Sequence, residues 1–507
     1  MEYLESRRKR IRFSKTQWRA ILLLNAVIVI LLVPYFIIQV LPAGAPSYNN
    51  GDSMTPGGRP YARERDARMS LNPHIDWETN IGGEGNDVPA AVVNHGTHFH
   101  VLVVTNSTRY DFVTDDEAAA GQAQRLFLAR LSPSGRTMDF VLLDSGSNIS
   151  VVTAMAWGGD TLVLYNVGNN SFLRRFNHSG GIVHSFGSPN RRGVDLMVDN
   201  RGGTGRLVLA VRHDRSPFAS TLTLYVLNEN LALDPTAPQH TMTTDGMPRS
   251  LDYVAIFPAV ADAGRYIVFA IDEVERHPAI IEFGAGFNPV YHSLRFAALP
   301  NFVITDVVPY SDGGIGVFIM AGIANGAPHL ITVRHENGIF ASHTLTPLAE
   351  PLGISGATDT KFLLADSGEG APYKYVMTVN EGGSAVRRLL PNSASLAPQA
   401  NFGALNNVAF VADFILSRPN LPANARETLL LGTDTGGNLF LTRLMGDTAI
   451  RLLTFGGSGI ETAVAMTPSG GGVIIVSATT SAPNDIPDGD VGGNFGGVDT
   501  WIAFVPL

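Results

Sequence analysis

Three carboxylates crowd one short loop near the C-terminus. The segment NDIPDGDVGGN, residues 484–494, carries Asp485, Asp488 and Asp490 among glycines and a proline. Hard oxygen donors spaced so closely on a loop suit Ca2+. Asp-Gly is also ordinary turn chemistry, and the order of donors does not match an EF-hand loop. Turn formation is the preferred expectation, with Asp485, Asp488 and Asp490 as the metal ligands and Ca2+ as the cofactor if the loop does chemistry.

A second group lies in NHGTHFH, which holds His95, His98 and His100. On a strand, His98 and His100 project to one face, as two zinc ligands would. The stretch also covers a Gly-containing hairpin turn and the start of a strand, and no acidic third ligand is evident nearby. A structural role is therefore expected. Asp272, Glu273 and Glu275 in IDEVERH offer carboxylates for acid–base work. A glycosidase needs two of them held about 5–10 Å apart, and a solvated loop is the simpler expectation. The chain has no G-x-S-x-G elbow, phosphate loop or H-E-x-x-H helix. It has no Cys, which removes disulfides, thiolate metal sites and cysteine nucleophiles.

The elements that must position these groups are strands. From Asp76 onward, short runs of Val, Ile, Leu and Phe alternate with Gly, Asn, Asp and Pro. A strand ending in a polar turn recurs, first as RLFLARLSPSG (125–135) and last as DTWIAFVPL (499–507). Eight such markers divide the outer part into units of about 54 residues, near the length of a four-stranded propeller blade. The first unit reads as strands 74–81, 88–93, 99–105 and 126–131, and the last as 449–455, 461–467, 472–478 and 500–505.

The two end units share a phrase. IGGEGNDVPAAVVNHGTHFHVLVVTNS (81–107) slides onto FGGSGIETAVAMTPSGGGVIIVSATTS (455–481) without a gap. Gly82, Gly83 and Gly85 then fall on Gly456, Gly457 and Gly459, and Thr105 and Ser107 on Thr479 and Ser481. A four-stranded sheet has two faces to bury, and a ring of such sheets buries each against a neighbour. Cognate first and last units fit the closure of that ring. The expected fold is all-β: a β-propeller of about eight four-stranded blades, or seven if a weak unit such as 384–447 carries an insertion, preceded by one N-terminal transmembrane helix.

The last unit resembles a repeat of many bacterial secreted and surface proteins, in which Gly-Gly-Ser-Gly precedes a strand pair and an Asp-Gly-Asp loop is followed by Gly-Gly-x-Asp-x-Trp. The matching residues are Gly456 to Gly459, Asp488-Gly489-Asp490, Gly496-Gly497, Asp499 and Trp501. The resemblance spans 452–507 and, more weakly, 79–131. It implies a propeller-like extracytoplasmic domain and carries no ligand site to the central units.

Ala20 to Leu41 is a run of 22 residues without a charge. As a helix it spans roughly 30 Å, the thickness of the hydrocarbon core. Seven basic residues against two acidic ones in 1–19 keep that end cytoplasmic and place the rest outside. Ala43-Gly44-Ala45 looks like a signal-peptidase motif, but the apolar run is long for a signal peptide and Pro46 follows directly, so an uncleaved anchor is expected. Residues 42–75, rich in Pro, Gly, Asn and Ser, read as a flexible stalk, and 76–507 as the extracytoplasmic domain.

The formal charge of −9 leaves 29 basic and 43 acidic residues after position 41. That balance argues against nucleic acid, whose phosphates need a basic surface. The partners expected are the lipid bilayer through residues 20–41 and an extracytoplasmic protein, glycan or envelope component, bound by a single-pass cell-surface module. A glycosidase or lyase with carboxylates in a central funnel, and an envelope assembly scaffold, are the alternatives.

Overall fold

Apolar runs bounded by turn residues become strands here because they are buried on both faces. In Gly472–Thr479 and His277–Gly284 every residue is buried, and Phe99–Thr105 is nearly so. Such strands read as continuous Val, Ile and Leu instead of alternating. Each fully buried aliphatic side chain contributes about 1.5–3 kcal/mol. The computed structural model describes residues 68–69, 75–107, 124–200, 205–216, 219–234, 239–242, 251–259, 265–272, 277–284, 287–294, 301–312, 315–336, 339–347, 359–364, 374–380, 383–389, 408–416, 428–445, 448–457, 459–481 and 497–507. The basic tail 1–19, the apolar run 20–41, nearly all of the stalk 42–75 and the loop 484–494 lie outside the described residues. Among the described residues, no helix is long and apolar enough to cross a membrane.

Among those residues the strands form eight antiparallel sheets. Sheet 1 is Asp87–Asn94, Phe99–Thr105, Gln124–Leu131 and Thr137–Gly146 in order; sheet 2 is Ile149–Trp157, Asp160–Val167, Asn170–Phe176 and Ile182–Ser188. Sheets 3, 4 and 5 begin at Arg192–Asp199, Leu251–Pro258 and Val303–Asp312, each with four strands. Sheet 6 has three strands, beginning at Asp359–Leu364, and sheet 7 has four, beginning at Val408–Leu416. Sheet 8 is Glu461–Ser469, Gly472–Thr479 and Asp499–Pro506, its fourth strand is Trp77–Ile81 from the other end of the chain, and the short strand Arg68–Met69 pairs outside that one as a fifth. The stretch expected to be weak, 384–447, therefore holds the end of sheet 6 and most of a complete sheet 7. The three-stranded sheet is the one before it.

The first strands of successive sheets touch one another in cyclic order, and Glu461–Ser469 touches both Val408–Leu416 and Asp87–Asn94. Hydrophobic clusters bridge consecutive sheets. Leu164 and Leu173 of sheet 2 pack with Leu207 and Leu209 of sheet 3, and Ile474, Val476 and Ile502 of sheet 8 pack with Phe99, Val101 and Phe127 of sheet 1. This ring of antiparallel sheets is the arrangement of a β-propeller.

Two strand assignments expected from sequence are corrected by the pairing. Trp77–Ile81 does not start sheet 1; it pairs with Asp499–Pro506, Trp77 opposite Phe504 and Ile81 opposite Thr500. Thr448–Phe455 does not start the last sheet; it is the outer strand of sheet 7, paired with Leu439–Met445. The strands were correctly placed but grouped one step out of phase. Strand-forming patterns carry no label of their partner when the closing partner is hundreds of residues away.

Seven of the eight first strands carry a register shift, between Pro89 and Ala91, Val151 and Thr153, Gly193 and Asp195, Tyr253 and Ala255, Ile304 and Asp306, Val411 and Asp413, and Ala463 and Ala465. Such bulges bend and twist a strand. In three of them an Asp follows, and Asp195, Asp306 and Asp413 each accept the N–H of the next residue. Asp195 also accepts the Tyr253 hydroxyl, and Asp413 the Met466 N–H at 2.7 Å, each from the following sheet. Other polar side chains stitch neighbouring sheets similarly. Asn166 bonds both backbone groups of Gly193, and Ser220 both of Leu251.

Candidate functional site

Two places on the ring bring together side chains that could do chemistry, and they lie at opposite ends of the sheets. The first is a cleft of about 430 Å³ at the end where the first strands begin. Ser150 of sheet 2, Arg192 and Gly193 of sheet 3, and Asp252 and Tyr253 of sheet 4 line it, with Asn166 and Arg212 from the second strands. Its floor is fixed by the Asn166 amide, which holds Gly193 through bonds of 2.7 and 3.0 Å. A Cβ at Gly193 would lie 2.9 Å from Leu164, so the bare backbone is what fits there.

The charges in the cleft are arranged, not scattered. Arg212 donates to Asp252 at 2.8 Å, while Arg192 is exposed at the rim. Tyr253 donates a hydroxyl hydrogen bond to the Asp195 carboxylate, and burial raises both groups above their ordinary values. Asp252 is the one carboxylate among the cleft's described lining residues, and it is ion-paired. The cleft thus presents guanidinium groups, an aromatic face and an amide, a lining suited to holding an oxygen-rich ligand.

The second place is at the opposite end, between sheets 1 and 2. Asp87–Asn94 turns through Gly96, at φ 77°, into Phe99–Thr105, and that turn is closed by the His95 N–H on the His98 carbonyl at 3.0 Å. The turn gathers His95, His98 and His100. The His95 and His98 rings stack at 4.7 Å, and the His100 ring stands edge-on to them at 4.8 and 4.6 Å. One ring nitrogen from each lies within 4.8 Å of the others. Thr161, which sits near the start of the second strand of sheet 2, places its hydroxyl 2.6 Å from both His95 Nε2 and His100 Nδ1. Thr97 Oγ1 lies 3.0 Å from His98 Nδ1.

His100 is wholly buried and His98 9% exposed, and the Nε2 atoms of both are buried and make no hydrogen bond. Burial lowers the pKa of all three rings; for His100, burial and then His98 and His95 push it down to about 3, against a nearby His178 carbonyl that raises it. The three imidazoles are therefore neutral near pH 7, the form in which they hold metal ions. Arg130, whose guanidinium bonds the His178 carbonyl at 3.1 Å, faces the cluster, and Asp160, paired with Arg175 at 2.7 Å, faces His95.

Of the residues singled out in the sequence, the three histidines are brought together. The hairpin turn expected around them is present. Asp485, Asp488 and Asp490 lie outside the described residues, as do Glu273 and Glu275. Asp272 is fully buried and accepts the Tyr291 hydroxyl at 3.0 Å. The cleft residues were missed. Arg192, Arg212 and Asp252 each look like a solvated charge beside a strand, and only the cyclic packing of three sheets converges them. Thr161 was missed as well, because it lies in the neighbouring sheet to the histidines.

Among solved structures, the Dos1 propeller aligns with a TM-score of 0.45 at 8% identity, covering 84% of this chain and 94% of that one. The β-propeller domain of the Trilobed protease from Pyrococcus furiosus, described as having an open velcro topology, aligns at 0.38 and 10%, covering 73% and 96%. A subtype N11 neuraminidase-like protein of A/flat-faced bat/Peru (H18N11) aligns at 0.34 and 13%, covering 67% and 99%. At these values the likeness carries neither a ligand nor an activity to this chain. No protein-family model matches the chain, and no curated protein is significantly similar to it.

Proposed function

We propose that the chain is an eight-bladed β-propeller, tethered to a bacterial cell membrane by residues 20–41 with its N-terminus in the cytoplasm, that acts as an extracytoplasmic binding module for a protein, glycan or envelope component. The cyclic contacts of the eight first strands support the blade number. The uncharged run after seven basic residues supports the tether.

The observation that carries the binding reading is the cleft at the end where the first strands begin. Three successive sheets contribute to it, so its lining is preorganised by the ring and needs no folding on binding. A glycosidase or lyase would need a second, unpaired carboxylate opposite Asp252, and Asp252 already neutralises Arg212. The reading is tested with the full chain in detergent micelles on arrays of glycans and envelope fractions. Specific retention that falls at least about tenfold in Arg192→Ala and Arg212→Ala is expected. Retention unchanged by both substitutions refutes the cleft as the site. Protease accessibility on intact cells tests the orientation, since the domain should be digested from outside.

A further inference from the structure

We propose that His95, His98 and His100 form a binding site for one first-row divalent metal ion, zinc foremost, at the end of the ring opposite the cleft. The inference goes beyond the binding reading and does not depend on it.

Three observations converge. Three imidazoles stand in mutual contact, which a packed core has no reason to favour over apolar side chains. Two of their nitrogens, Nε2 of His98 and of His100, are buried without a hydrogen bond, an arrangement that costs roughly 1–3 kcal/mol per group when nothing binds there. And the opposite nitrogens are held by hydroxyls, Thr97 on His98 and Thr161 on His95 and His100. The oxygen of Thr161 has two lone pairs and can accept an N–H from each ring. In that tautomeric arrangement the lone pairs left over are Nδ1 of His95 and Nε2 of His98 and His100, the His178 carbonyl near His100 lying outside hydrogen-bond geometry from that Nε2. This is the outer-shell pattern of metal-bound histidine, in which the far N–H is fixed by a hydrogen bond.

Three neutral imidazoles without a carboxylate select zinc, copper or nickel over calcium or magnesium. A tetrahedral zinc at about 2.0 Å from each nitrogen sets the ligand atoms roughly 3.3 Å apart, so the cluster must tighten from the 4.8 Å it spans. His95, half-buried and beside Gly96, whose Cα faces open space, is the ring that can move. Arg130 opposes a dication and weakens the site, while Asp160 favours it.

The test uses the full chain purified in detergent and stripped with a chelator. Zinc is titrated in competition with a chromophoric chelator, and cobalt is added separately to read the visible bands of a tetrahedral nitrogen site. One zinc per chain is expected. His98→Ala and His95→Ala should weaken it about 100-fold or more, and Thr161→Val about 10-fold. Arg130→Gln should tighten it by roughly threefold or more by removing a facing cation. His95→Ala, in a half-buried turn, keeps the fold, so its loss of zinc is not a loss of structure; far-ultraviolet circular dichroism checks this. No stoichiometric zinc overturns the proposal. So does zinc binding that persists in both histidine variants, which would place the ion away from these rings.

Discussion

Asp87 and Glu461, separated by 374 positions, hold the same place in neighbouring sheets and perform the same task. Each is fully buried at the start of a first strand. Asp87 accepts the Gly83 N–H at 2.5 Å together with the Thr105 and Ser107 hydroxyls. Glu461 accepts the Gly457 N–H at 3.1 Å with the Thr479 and Ser481 hydroxyls. Ser107 and Ser481 in turn receive the N–H of Gly85 and Gly459. The repeated phrase thus encodes one device, a carboxylate that gathers the glycine corner leading into a first strand. Hydrogen bonds to a charged group contribute about 1.5–3 kcal/mol each, and losing them leaves buried donors unmet. Asp87→Ala and Glu461→Ala should each lower unfolding stability by on the order of 3 kcal/mol or more, read by urea melts. A change below 1 kcal/mol, taken as a rough floor for a buried polar network, would refute the role.

The closing strand gives a second prediction. Trp501 stacks on Phe455 at 4.4 Å and donates its indole N–H to Glu78 of Trp77–Ile81 at 3.1 Å, while the Asp76 N–H reaches the Phe504 carbonyl at 2.9 Å. A chain beginning at residue 60 retains this strand, and one beginning at 82 loses it. The shorter chain exposes an unpaired edge and the apolar surface once covered by Trp77 and Ile81. Its stability should fall by about 5 kcal/mol or more. Equal thermal melting of the two fragments would contradict closure by this strand.

Gly322 and Gly432 each sit where any side chain would strike a carbonyl. A Cβ at Gly322 would lie 2.4 Å from the Val303 carbonyl, and one at Gly432 2.5 Å from that of Phe410, each also against a phenylalanine ring. Gly322→Ala and Gly432→Ala should each cost about 1–3 kcal/mol through forced backbone shifts. Thermal melts of the two variants check it.

Burial raises the Asp413 carboxyl, against the N–H groups of Met466 and Phe414 that lower it. Its folded value therefore lies above the value of about 3.9 for an unfolded Asp. Between those values the folded chain holds more protons than the unfolded one. The stability contributed is fully present below about pH 4 and is lost as pH rises through the folded value. Asp413→Asn should accordingly cost more stability near pH 4 than near pH 7, measured by denaturant melts at both. An equal cost at the two pH values would refute the raised carboxyl.

The central strands were legible because burial on both faces writes a continuous apolar run into each of them, as in GVIIVSAT and FHVLVVT. The closure was legible as a likeness between 81–107 and 455–481, but its phase was not. The pattern at Trp77–Ile81 is compatible with either neighbour, and only the bonds to Asp499–Pro506 decide. Gly497 and Asp499 touch the first glycine phrase directly: the Gly497 N–H meets the Gly85 carbonyl, and the Asp499 carboxylate fills the space beside Gly82. The bulge aspartates were illegible. Asp195, Asp306 and Asp413 each interrupt an apolar run and read as turn residues, yet they sit within strands because the bulge supplies the N–H that satisfies them. The histidines were visible as a group, but Thr161, which orients two of them, lies 61 residues beyond His100 in another sheet.

Trp77–Ile81 of sheet 8 leaves the ribosome long before its partner, Asp499–Pro506. Throughout synthesis, Trp77–Ile81 must wait with open backbone groups and an uncovered indole for some four hundred residues to follow before Asp499–Pro506 is made. Truncated or stalled chains would therefore carry a sticky ribbon with no lawful partner, able to pair with the terminal strand of another copy. The same join that seals the finished ring makes its assembly depend on two strands made far apart in time.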